Sequence, residues 1–138
     1  ISSLYGIDIL EDNVEICRKN LFEIFRTKYE DLFSRSINQN YLSGIKFVLY
    51  LNIIYGDALT LKTCGLIEKP IIFSEWSIAF NDMVQRRDYK MKNLLDTQAI
   101  AEPNLFSDLG DDAFIPEPVK SFPLQSLYKI ADNVQREL

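Results

Sequence analysis

Two short apolar runs, each ending near an acidic residue, mark the first half of the chain: Leu4-Tyr5-Gly6-Ile7-Asp8-Ile9 and Asn52-Ile53-Ile54-Tyr55-Gly56-Asp57-Ala58-Leu59. Residues 4–9 and 52–57 are apolar on both faces apart from the acid, the pattern of buried parallel strands. Between them Val14, Cys17, Leu21, Ile24, Phe25 and Leu32 recur near helical spacing, with Arg18, Lys19, Arg26 and Lys28 on other faces. A helix is therefore predicted to about residue 33, opening on a capping box of Asp12 and Glu15. Residues 34–40 are polar and read as a loop. Residues 41–51 are apolar almost throughout, so their periodicity fits helix or strand equally. A loop is predicted over about 60–70, closed by Gly65 and Pro70.

The second half reads differently. Residues 71–80 and 83–91 are β-rich arms around Asn81-Asp82, which predicts a hairpin with a two-residue turn. A short helix at 91–95 follows. Residues 97–123 read as a loop, with Glu102, Asp108, Asp111 and Asp112 among prolines 103, 116, 118 and 123. The chain closes on a predicted amphipathic helix over 124–138, its apolar side made of Leu127, Tyr128, Ile130, Ala131 and Val134. Three regions result: a partial cofactor-binding α/β region at 1–70, a β-hairpin insertion with a short helix at 71–95, and a proline-containing loop with a helix at 96–138.

With 138 residues, 47% hydrophobic and 12% aromatic, the chain can bury one modest core. Its net charge of -5 argues against a phosphate-gripping surface within these residues. Histidine is absent, which removes the commonest general base and metal ligand. Cys17 and Cys64 fit neither a metal nor a disulfide spacing, and read as reduced thiols of a cytoplasmic protein, Cys17 on the apolar helix face. No apolar run is long enough to span a membrane. The opening Ile1-Ser2-Ser3 leads straight into a strand without a methionine, as a fragment would.

Ligands of doubly wound α/β folds bind at the carboxyl ends of the strands. Asp8 and Asp57 would therefore share one rim, one carboxylate for ribose hydroxyls and the other for an exocyclic amine, as an adenosine requires. Asp8 alone could equally begin the cap of the next helix, and Asp57 alone reads first as an acidic turn residue after a strand. Trp76 reads as core, and Arg86, Arg87, Lys90 and Lys92 as a solvated basic face. Glu75 and Asp88 could pair across the hairpin, though nothing marks them as an acid/base couple.

The stretches Tyr-Gly-Ile-Asp-Ile-Leu-Glu-Asp-Asn-Val-Glu-Ile-Cys-Arg at 5–18 and Asn-Ile-Ile-Tyr-Gly-Asp-Ala-Leu-Thr-Leu at 52–61 resemble DNA adenine-N6 methyltransferases of bacterial restriction–modification systems, of the Eco57I-like type. Phe-Ser-Glu-Trp-Ser at 73–77, Arg-Arg-Asp-Tyr at 86–89 and residues 105–118 look like parts of the same proteins. The resemblance implies part of a Rossmann-like S-adenosylmethionine-dependent sheet with flanking helices and an inserted hairpin. It also implies ribose binding by Asp8, packing of Ile9 on the adenine, an amine contact from Asp57, and backbone or apolar contacts from Ala58 and Leu59. The family's glycine loop and its Asn/Asp-Pro-Pro-Tyr/Phe motif do not occur in the chain. No catalytic residue and no metal ligand is assigned, and methyl transfer is not expected from these residues alone. DNA would be reached through parts of a parent protein outside this chain, with self-association or a partner subunit possible. The alternatives are a non-enzymatic, partner-dependent interaction module and a fragment of a nicotinamide or flavin oxidoreductase.

Overall fold

The computed structural model describes residues 1–34, 36–80, 82–100 and 116–133. Strand β1 (Gly6–Asp8) is shorter than the predicted 4–9, and helix α1 (Glu11–Phe33) follows almost at once. Its N-cap is Leu10, without a side-chain cap, rather than Asp12. The free amide there is taken by the strand-end acid: Leu10 N–H donates to Asp8 Oδ1 (2.8 Å) and the Asn13 amide to Asp8 Oδ2 (3.2 Å). Asp12, one residue inside the helix, accepts from the Asn13 backbone N–H instead.

The inward stripe of α1 is Val14 and Phe22, buried, with Leu21, Phe25 and Tyr29 half-buried beside them. Cys17 and Ile24, expected on that stripe, are exposed. At 100° per residue they fall at +3 and +10 from Val14, on the flank of the stripe rather than its centre. Leu32 keeps the right angle but lies past the last packing partner and is exposed. Arg18, assigned to a polar face, turns into the stripe. Its Nε and Nη2 donate to Ile53 O (2.9 and 2.5 Å), Nη2 donates to Tyr50 O (3.0 Å), and the guanidinium lies 4.6 Å from the Tyr50 ring centroid.

The ambiguous apolar segment is helix α2 (Gln39–Asn52), capped by Asn38, whose side chain accepts from Tyr41 N–H (3.1 Å). It is apolar almost throughout because it is buried on two sides. Leu42, Ile45 and Leu49 join Val14, Phe22 and Ile53 in one core cluster, while Phe47 and Val48 join Trp76, Val84 and Ile130 in another. Strand β2 (Ile53–Asp57) follows directly and pairs parallel with β1, Gly6 opposite Ile53 and Asp8 opposite Tyr55. The predicted 60–70 loop contains β3 (Lys62–Thr63), antiparallel to β2, with Leu61 at φ 59° in the turn between them.

A second, antiparallel sheet holds β4 (Ile72–Ile78), β5 (Met83–Lys90), β6 (Lys120–Ser121) and β7 (Gln125–Ser126), with β4, β6 and β7 all paired to β5. The hairpin is present, but its reversal is wider than two residues. Ala79 N–H donates to Met83 O (2.8 Å) and Met83 N–H to Phe80 O (3.1 Å), with Asp82 at φ 58°, the left-handed position such a loop requires. Helix α3 (Met91–Ile100) runs past the predicted Leu95. The predicted C-terminal helix is replaced by β7 and a 3-10 helix, Leu127–Asn133, packed on α2. Val134 and the rest of that prediction, like residues 101–115 of the predicted loop, lie outside the described residues. The molecule is thus mixed α/β, with two sheets sharing the central helix α2.

Candidate functional site

Parallel pairing brings the two strand-end acids to one rim. Asp57 lies two residues beyond Tyr55, the register partner of Asp8, so strand spacing and rise put the two Cα atoms about 8 Å apart. Side chains alternate along a strand, so Asp8, Tyr55 and Asp57 project on the same face of the sheet.

Each carboxylate is already held by groups a few residues along the chain. Asp8 accepts from Leu10 and Asn13 as above, one donor on each oxygen, which leaves lone pairs on both. Asp57 Oδ1 accepts Leu59 N–H (2.8 Å) in a turn. That backbone donor, followed by donors at Thr60, holds the Asp57 carboxyl below its ordinary pKa. The Leu59 amide is therefore committed to Asp57, and its side chain stands 95% exposed. Ala58 is exposed beside it, and Ile9, across the rim, is 60% exposed. Large apolar side chains flanking two anchored carboxylates could grip a flat ring between them while the acids take its polar edges.

Gly56 in β2 leaves room for close packing. A Cβ there would stand 2.9 Å from both Lys62 O and Ile71 Cδ1, so the close approach that glycine permits is to β3 and Ile71.

The hairpin acids and bases are redistributed by strand alternation. Ser74 is opposite Asp88 and Glu75 opposite Arg87, so Glu75 and Asp88 lie on opposite faces of the sheet and cannot pair. Arg86, expected in a solvated basic face, is 4% exposed. Its Nε and Nη2 hold Asp88 Oδ1 and Oδ2 (2.7 and 2.8 Å), and Ser74 Oγ donates to Asp88 Oδ1 (2.8 Å). Phe122 (4.2 Å to its centroid), Phe47 and Trp76 enclose the guanidinium. Trp76 is buried as expected, its ring edge-to-face with Phe47, although its strand neighbour Ile78 is exposed.

No family model, curated protein or solved structure matches the chain. Its own geometry therefore carries the functional argument. Among the described residues no helix is long and apolar enough to cross a membrane, and no group of three or more His, Cys, Asp or Glu side chains is arranged to hold a metal ion.

The outer face of the hairpin forms a cleft that the sequence reading missed. Tyr5, Phe73, Glu75, Tyr89, Met91 and Leu94 line a cavity of about 470 Å³. The signal lay in the alternation of Phe73 and Glu75 on one arm and Arg87 and Tyr89 on the other. It could not be completed without Tyr5, which arrives from the distant segment just before β1. Neither Asp8 nor Asp57 lines this cleft.

Proposed function

We propose that this chain is the adenosine-holding part of a Rossmann-like, S-adenosylmethionine-dependent DNA adenine-N6 methyltransferase of a restriction–modification system. The observation that carries the reading is the parallel β1–β2 pair with a carboxylate at the carboxyl end of each strand. The helical crossover between the two strands and the resemblance of residues 5–18 and 52–61 support it further.

The rim residues suit the cofactor. Asp8 keeps acceptor capacity for ribose hydroxyls, and Asp57, ionised at neutral pH, can accept from an exocyclic amine. Ile9 and Leu59, with Ala58, offer apolar surface to the purine faces. The cofactor would supply an activated methyl group. These residues contribute binding and orientation rather than bond chemistry. DNA, the methionine end of the cofactor and the target base would be met by other parts of a cytoplasmic parent protein.

Calorimetric titration with S-adenosylmethionine tests the reading. Wild type should bind, and Asp57→Ala should weaken binding roughly tenfold, the loss of one charge-assisted hydrogen bond. Equal binding by both proteins, or tighter binding of a nicotinamide dinucleotide, would contradict it.

A further inference from the structure

We propose that the cleft framed by Tyr5, Phe73, Tyr89 and Glu75 is a binding site for an organic cation of the quaternary or methylated ammonium type. Tyr5 and Phe73 meet edge-to-face, centroids 5.1 Å apart and planes at 68°, forming two walls of a corner. The register places Tyr89 directly opposite Phe73, and Glu75 follows two residues along on the same face. A carboxylate beside aromatic rings is the chemistry that recognises alkylated ammonium groups, through the ring quadrupoles and the opposite charge together.

Several rings elsewhere in the protein already carry a cation of their own. Tyr50 carries Arg18, Phe22 carries Lys46, and Phe122 carries both Arg86 and Lys120. Tyr5, Phe73 and Tyr89 carry no cation from among the described residues. Among the described residues Glu75 accepts two long contacts, from Tyr89 O–H (3.3 Å) and from its ion-pair partner Arg87 Nη1 (3.4 Å), both on Oε2. Its Oε1 has no partner among the described residues. Burial first, and then the Glu75 charge, raise the Tyr5 and Tyr89 phenols above their ordinary pKa. Met91 and Leu94 close the apolar side, and the volume of about 470 Å³ is that of a small-molecule pocket.

The proposal is independent of the adenosine rim. S-adenosylmethionine is itself a sulfonium, so choline, which has no nucleoside, is the probe that separates the two sites. Choline is titrated into the chain while the tyrosine ring resonances are followed by NMR, with 3,3-dimethylbutan-1-ol as its uncharged isostere. Choline should move Tyr5 and Tyr89, and the alcohol should bind at least roughly tenfold more weakly. Glu75→Gln and Tyr89→Leu, both half-buried on the outer face of the hairpin, should each weaken choline roughly three- to tenfold with the spectrum otherwise folded. The proposal is overturned if the folded wild type gives no shift, if the alcohol binds as well as choline, or if neither variant changes the affinity.

Discussion

Arg18 donates to the carbonyls of Tyr50 and Ile53, where α2 gives way to β2 and the last helical carbonyls lack helical partners. Arg18→Ala should lower stability by about 2 kcal/mol, and Arg18→Lys by less, since the charge survives but the fork does not. Chemical denaturation would measure both. Asp88→Ala should cost about 3–5 kcal/mol because it leaves the Arg86 cation buried without its carboxylate. Replacing Arg86 and Asp88 together with Met and Leu should cost far less, since no charge is then stranded. Neither arginine was legible as buried. Charge suggests solvent, and only the partners, which are backbone carbonyls for Arg18 and a carboxylate two residues along for Arg86, reverse that preference. The Asp57 turn has an acid-side signature as well. Its depressed pKa means that its contribution to stability is fully present above the ordinary carboxyl value of 3.8 and is lost as pH falls through the lower folded value.

Among the elements, α1 and β2 were legible because each buries one ordinary pattern, a 3.6-residue stripe and a short apolar run. Helix α2 was not, because burial against both core clusters erases the polar face that would reveal its period. Its Gly44 is a contact point. A Cβ there would meet Ile130 Cβ at 3.2 Å, where the 3-10 helix crosses. Gly44→Val should therefore cost about 1–3 kcal/mol by forcing the two helices apart. The C-terminal segment was misread for a related reason. Leu127 and Ile130 are three residues apart, a spacing shared by α- and 3-10 helices, and β7 is specified only by its pairing with β5. At the rim, both carboxylates were legible as strand ends, but their local partners were not, since Leu10 and Leu59 contribute backbone amides that no side-chain pattern reports.

At the scale of the whole molecule, a buried amide ties α2 to the second sheet. Asn52 is fully buried between the end of α2 and β4, its amide donating to Ser74 O and its carbonyl accepting Ser74 N–H, both at 2.9 Å. Ser74 continues the connection to Asp88 and Arg86. Asn52→Leu should strand both backbone groups of Ser74, cost roughly 2–4 kcal/mol, and speed amide exchange in β4 more than in α1. The connection bears on function because it fixes the hairpin, with its aromatic cleft, against the half of the molecule that carries Asp8 and Asp57. The most direct test of that half is NMR mapping of backbone amides during titration with S-adenosylmethionine. Shifts should concentrate at Ile9 and Leu10 after β1 and at Ala58 and Leu59 after β2, both ends responding with one affinity. Shifts confined to one strand end, or found only elsewhere in the folded chain, would contradict a shared adenosine rim.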